Sequence, residues 1–213
     1  MKVNNYPVKT PAAGDKLFGS DASGDQKQFE ISNFIGDGFQ YEIGQYVASE
    51  GGVIAHRWLS DISLGSPTTG SFQNYLVLDT NNLSTSASWG LNGIDVADCE
   101  STWDGIANTT SMISAGAAAG TAAVLCDSSN NNGKSDWYLP AIDELNIVLN
   151  NRFSISQGIS DALGTQLGFN TYWSSTESNS TSAYLLFFGN FYPIANTTKP
   201  LSYYVRAVRK FSI

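Results

Sequence analysis

The chain has 213 residues, of which 42% are hydrophobic and 12% aromatic, enough apolar material to close one sizeable core with a small appendage. Lys plus Arg number 11 against 19 Asp plus Glu, a net charge of −8 at pH 7, so nothing supplies the counterion-release binding that nucleic acid requires, and no nucleic-acid partner is expected. Charged residues make up only 14%; the polar surface falls instead to Asn, Ser, Thr and Gly, which favour turns.

The first residues, MKVNNYPVKTPAAGDK, lack the apolar core of a secretory signal, so the expectation is a protein without Sec-type export. Within residues 1–40, candidate strands at Lys16 to Phe18 and Gln28 to Ile31 flank the turn-forming SDASGD, encoding at most a hairpin. A hairpin of that size cannot bury a core, so 1–40 reads as an arm for attachment or trimerisation, and 41–213 as the binding domain. From Tyr41 onward the runs GQYV, GGVIAHRWL and NYLVLDT, separated by Gly-, Pro- and Ser-rich turns, predict an antiparallel sheet. His56, the chain's single histidine, sits in the second run and reads as an ordinary strand residue.

Two helices are predicted next. NTTSMISAGAAAGTAAVLCD takes Asn108 or Thr109 as N-cap and aligns Met112, Ile113, Ala117, Val124 and Leu125 on one face. Its GAAAG, Gly116 to Gly120, reads as tight core packing, and the apolar run is too short to span a bilayer, so no membrane insertion is expected. The second helix, LPAIDELNIVLNNRF, places Pro140 at its first position, Asp143 and Glu144 in its first turn, and Ile142, Leu145, Val148 and Leu149 along one side.

Between the helices, CDSSNNNGKSDWYLP has the oxygen-rich look of a calcium loop, but the register fails. Counting back from Asn132-Gly133 puts Ser128 in the first ligand position, and counting from Asp127 puts Tyr138 where the closing Glu belongs. A turn satisfied by its own Asn and Asp side chains is the preferred reading; no cofactor is expected, with Ca²⁺ as the minor alternative. Cys99 and Cys126 form no Cys-x-x-Cys pair, and one histidine supplies neither a zinc ligand set nor a triad. A Cys99–Cys126 disulfide stays open at this stage.

Four motifs then follow in order: DWYLPAIDEL from Asp136, YWSSTES from Tyr172, AYLLFFGNFYPI from Ala183 and YYVRAVRKF from Tyr203. With GGVIAHRW, NTTSMI and GKSDWYLP upstream, this series resembles the C-terminal domain of collagen-like bacterial adhesins over about residues 41–213. The resemblance implies an α+β, C-type-lectin-like fold related to the formylglycine-generating enzyme, with two helices on a twisted antiparallel sheet, chain ends brought together and a long loop region on one face. It makes Trp137, Pro140, Glu144 and Trp173 structural residues, with Ser174, Ser175 and Thr176 satisfying turns beside the indole. Arg206 and Arg209 are expected to pair structurally with Glu144 or Glu177. The segment GDKLFGSDASGDQKQFEIS resembles N-terminal arms of tail-fibre and other virion proteins of phages infecting gut bacteria.

Between the anchors, ESNSTSAYLLFFGNFYPIANTTKPLSYY mixes Tyr with Asn and Ser, as binding loops do. The predicted ligand-binding residues are Tyr184, Phe191, Tyr192, Tyr203 and Tyr204 for stacking and Asn179, Asn190 and Asn196 for hydrogen bonds. Strand alternation lets only half of them face one ligand. The function expected is a phage virion protein, a head or tail fibre or decoration protein made in the host cytoplasm. It would form a homotrimer, dock on other virion proteins through its arm and bind a bacterial surface glycan or protein. The resemblance also admits a variable protein of a diversity-generating retroelement. A bacterial surface adhesin is the alternative. An oxidase of the formylglycine-generating type is disfavoured because its two late cysteines are missing, Cys99 and Cys126 both preceding DWYLP; no enzyme activity is expected.

Overall fold

Val-, Ile- and Tyr-rich runs pair into sheets, and Ala- and Leu-rich runs coil against them, in a computed structural model that describes residues 16–20, 26–30, 39–61, 71–189 and 194–213. Two units divide the chain, Met1–Gln40 and Tyr41–Ile213. In the first, β1 (Lys16–Ser20) and β2 (Gln26–Glu30) form an antiparallel hairpin in which Phe18 lies opposite Gln28.

The second unit is α+β, with two sheets and, among the described residues, four α-helices. A four-stranded sheet runs in the order β11 (Val208–Ser212), β5 (Ser71–Asp79), β4 (Gly52–Asp61), β3 (Tyr46–Val47) and is antiparallel throughout. A five-stranded sheet runs β6 (Ser84–Ser88), β10 (Ser202–Val205), β7 (Thr171–Asn179), β8 (Ser182–Phe187), β9 (Ile194–Thr198). Instead of one antiparallel sheet there are therefore two, and β10 meets β7 in parallel at Tyr204 and Tyr172. YYVRAVRKF spans two strands: it leaves the five-stranded sheet after Val205 and enters the four-stranded one at Val208. Tyr41, at the start of this unit, packs its ring 6.0 Å from that of Phe211 near its end.

The two predicted helices are four: α1 (Gly105–Ser114), α2 (Ala122–Asp127), α3 (Ile142–Asn150) and α4 (Arg152–Asp161). The α1 N-cap is Asp104, whose carboxylate accepts the Ala107 N–H at 3.1 Å, and Asn108 and Thr109 lie buried inside the helix. Asn and Thr favour caps and buried hydrogen bonds alike, so residue type alone does not separate the two. GAAAG is not a packing motif. Gly116 and Gly120 adopt φ of +85° and +82°, and a Cβ on either would meet nothing; the pair reverses the chain between α1 and α2. Pro140 stands before the α3 N-cap, Ala141, and not at the first helical position.

The core lies where Val53, Leu76 and Leu78 of the four-stranded sheet meet Leu145 and Val148 of α3, Ile155 and Ile159 of α4, and Tyr172 and Leu186 of the other sheet. Each such side chain contributes about 1.5–3 kcal/mol on burial. A β-bulge at Ala55 sets which residues of β4 join this face. Val53 pairs with Leu78 and His56 with Leu76, so one extra residue falls between them, and His56 and Trp58 turn to the face that Val53 occupies. Unbroken alternation would have put them on the opposite side with Ile54.

Helix α4 lies against the Gly44 backbone. A Cβ on Gly158 would stand 2.1 Å from the Gly44 carbonyl oxygen, far closer than a non-bonded carbon can sit. Gly158→Ala is therefore expected to lower stability by about 1–3 kcal/mol through overpacking, measured by denaturant unfolding; an unchanged midpoint would mean that α4 does not approach this closely.

Candidate functional site

The stretch Trp173 to Glu177 is buried throughout, and the ladder to β8 is irregular between Trp173 and Glu177. The hydrogen bonds that the ladder omits go to other elements. Trp173 Nε1 donates to the Ala87 carbonyl at 2.9 Å and Ser174 Oγ to the Tyr184 carbonyl at 2.8 Å. The Ser175 N–H donates to the Pro140 carbonyl at 2.8 Å, and Ser175 Oγ accepts from Asn108 Nδ2 at 3.2 Å. Thr176 Oγ1 accepts the Ile142 N–H, a donor in the first turn of α3, at 3.0 Å and donates to the Ser101 carbonyl at 2.9 Å. Small hydroxyls suit this run because each bonds at close range inside a buried strand, Ser174 and Thr176 to backbone and Ser175 to the Asn108 amide.

Glu177 ends this run with a partner that the sequence reading did not assign. Its carboxylate pairs with Lys199, both side chains being fully buried. Lys199 Nζ also donates to the carbonyls of Leu91 and Ile94 at 3.3 and 2.8 Å, and lies 4.6 Å from the centre of the Trp89 ring. The other Glu177 oxygen accepts the Val96 N–H at 2.8 Å. Loop 89–100 thus wraps an ammonium much as a carbonyl cage wraps a metal cation, and charge-assisted bonds hold it. A signal was present: Glu177 and Lys199 are the only charged residues from Tyr172 to Val205.

Arg206, Arg209 and Glu144 serve the frame. Arg206 and Arg209 pair with neither Glu144 nor Glu177. Arg206, buried at the crossing between sheets, donates to Asn82 Oδ1 at 2.8 Å and to the carbonyls of Asp79, Thr80 and Thr165. Arg209 grips Asp136 with two bonds, 2.6 and 2.8 Å, and reaches Glu50 at 3.0 Å. Glu144 instead accepts from Tyr138 Oη at 2.8 Å and the Ala141 N–H at 2.9 Å and pairs with Lys210 at 2.7 Å. The oxygen-rich loop also closes on protein groups: Asn131 donates to Asp79 at 2.8 Å, Asn132 to the Gly51 carbonyl at 2.6 Å, and Trp137 Nε1 to the Asn131 carbonyl at 3.1 Å. Among the described residues no three His, Cys, Asp or Glu side chains are grouped to hold a metal.

Cys99 and Cys126 are buried and free, so the disulfide left open is not formed. Burial, with the Glu177 charge next in weight, pushes the Cys99 thiol up to about 12, and burial raises Cys126 well above its ordinary value. Neither supplies a thiolate near neutral pH.

The predicted ligand residues do not converge on one face. Tyr203 stands edge-on to Trp173 at 5.1 Å, whereas Tyr204, its neighbour, tilts against Tyr172 at 5.5 Å on the opposite side of the sheet. Tyr184 is half-buried against the main core. Asn179 and Asn196 are exposed: Asn179 Oδ1 accepts from the Thr181 N–H at 2.9 Å across the β7–β8 turn, and Asn196 Nδ2 donates to Ser178 Oγ at 3.1 Å. Asn190, Phe191 and Tyr192 lie outside the described residues. Strand β9, an edge of its sheet, has four of its five residues exposed, and residues 178–198 carry no charge.

Fold and site together define an α+β domain whose central polar groups brace its own loops and whose last hairpin presents amides and hydroxyls. The chain belongs to the Lcl C-terminal domain family, which matches residues 79–209. That match begins at the end of β5, later than the motif likeness at 41, although β11 pairs with β5 inside the same sheet. No curated protein matches the chain. Among the described residues no helix is long and apolar enough to cross a membrane.

Two expectations follow. Lys199→Met leaves the Glu177 carboxylate buried without its partner and is expected to cost about 3–5 kcal/mol in denaturant unfolding; a loss below about 1 kcal/mol would contradict a sealed pair. Partial burial alone would raise the Asp136 carboxyl, but its Arg209 hydrogen bonds and charge outweigh this and hold it below the ordinary aspartate value. A carboxylate lowered in the fold stabilises above its unfolded value and loses that contribution as pH falls through the folded one. Asp136→Asn should therefore be less stable than the parent at pH 6 and converge with it in acid, read as melting temperature against pH.

Proposed function

We propose that this chain is a non-catalytic recognition module of adhesin-like type, which binds a bacterial surface glycan or protein through the β7–β8 turn and the exposed strand β9. The observation that carries this reading is an uncharged strip of Asn, Ser and Thr on a strand edge, backed by a hub whose charges point inward. Such a surface suits neutral, hydrogen-bonding partners, and an edge strand offers unpaired backbone donors and acceptors besides. Membership of the Lcl C-terminal domain family supports an adhesin-like role.

A C-type-lectin-like fold is the finer structural proposal, supported by the two ends of the second unit, which meet at Tyr41 and Phe211, and by a long loop, 89–100, pinned on the sheet. A phage virion protein, docked through the Met1–Gln40 unit and attaching the particle to its host, is the finer functional proposal; it rests on the likeness of that arm to virion proteins. Homotrimer formation draws support from Phe153 and Phe169, exposed phenylalanines lining one depression beside α4, an apolar patch of the kind that oligomers cover.

The test is adsorption of the fluorescently labelled chain to a panel of gut bacterial cells, alongside a glycan array. Saturable binding to at least one surface is expected, weakened about ten-fold or more by Asn196→Lys with Thr198→Lys, with melting temperature unchanged. No binding across both panels, or equal binding by the double variant, would overturn the reading.

A further inference from the structure

The four-stranded sheet carries a cleft of about 260 Å³ that the β9 surface does not share. Its floor is a cross-strand row, His56 on β4, Leu76 on β5 and Lys210 on β11, fixed by the pairings His56–Leu76 and Lys210–Leu76. The bulge at Ala55 puts His56 and Trp58 on this side, their rings 5.8 Å apart and 20° from parallel. Ile147 and Glu144 of α3 form one wall, and Trp103, just before α1, forms the rim. Trp103 is 70% exposed, unlike Trp89, Trp137 and Trp173, all of which are buried around an indole hydrogen bond.

The polar groups are few and unfinished. Lys210 has three protons to donate and pairs with Glu144 at 2.7 Å. Neither ring nitrogen of His56 has a hydrogen-bond partner among the described residues, and burial lowers its proton affinity, so at neutral pH the ring offers one donor and one acceptor. Glu144 cancels the Lys210 charge locally, and the whole chain is at −8, so an anionic ligand gains no net attraction. Lys210 also lines a second cavity of about 210 Å³, beside Thr109, Thr110, Ser135 and Asp136. One ammonium therefore separates an aromatic compartment from a hydroxyl- and carboxylate-lined one.

We propose that this cleft binds a neutral hexopyranose, its C–H face stacked on the Trp103 and Trp58 rings and its hydroxyls bonded to His56 and Lys210, with the adjoining cavity taking the next sugar of a chain. The volume lies just below the roughly 300–1,000 Å³ of drug-sized sites and suits a single ring. Aromatic faces supply area at low entropic cost, and the few polar groups set orientation. This site lies on a different sheet from the proposed β9 surface, and either can fail without the other.

The test uses the full chain, titrated with glucose, galactose, mannose and N-acetylglucosamine and, as anionic counterparts, glucuronic and galacturonic acids. Tryptophan emission and saturation-transfer NMR are the readouts. At least one neutral sugar should bind saturably with millimolar affinity or better, about −4 kcal/mol, and more tightly than either acid. Trp103→Ala, at an exposed position, should weaken that binding about ten-fold or more, as should Ile147→Phe, which fills the cleft, while both keep the parent's circular dichroism. Absence of saturable binding, preference for the acids, or binding unchanged in both variants would overturn the proposal.

Discussion

One buried ammonium organises the C-terminal half of this domain. Lys199 is bonded to Glu177, to two carbonyls of loop 89–100 and to the face of Trp89. An isolated charge in that position would be prohibitively costly, so the carboxylate, the carbonyls and the Val96 N–H must all be in place together. That requirement converts a long irregular loop into a fixed wall. Gly90 and Leu91 take φ of +93° and +51° to bend the chain around the cation, and the Trp89 N–H donates to the Lys199 carbonyl at 3.0 Å to close the circuit.

The same constraint explains the buried hydroxyl run before Glu177. Once Glu177 is drawn inward, β7 departs from its ladder with β8; Ser174 Oγ still reaches β8 at the Tyr184 carbonyl, while Ser175 and Thr176 carry the freed bonding outward to loop 99–101, to α1 and to the start of α3. Among the described residues every buried side-chain polar atom has a partner, as a cooperative polar network must if it is to specify one arrangement. What remains for the solvent on the last hairpin is uncharged, so the recognition proposed there would rest on shape and amide hydrogen bonding instead of long-range fields.

Much of the frame was legible in sequence: GGVIAHRWL and NYLVLDT as strands, and the apolar stripe Ile142, Leu145, Val148 and Leu149. These signals are local, carried by periodicity and residue type. What escaped was set at a distance. GAAAG reads as packing until the positive φ of Gly116 and Gly120 is known. Arg206 looked like half of an ion pair, yet the crossing between sheets surrounds it with carbonyls. The Ala55 bulge, which moves His56 and Trp58 to a different face, leaves no mark in an alternating pattern. Lys199 and Glu177 stood out as the two charges in a neutral stretch, but the expected partners of Glu177 were Arg206 or Arg209, and the predicted binding tyrosines Tyr203 and Tyr204 were divided between two faces by the alternation that governs any strand.

Amide hydrogen exchange at Val96 tests the central claim most directly, because its N–H is bonded to the Glu177 carboxylate inside the cage. If Lys199 and Glu177 seal loop 89–100 onto the sheet, Val96 exchanges only with global unfolding, as slowly as the interior amides of β5. Exchange of Val96 orders of magnitude faster than those amides would show a loop that opens by itself, and the ammonium could not then be what holds this half of the domain together.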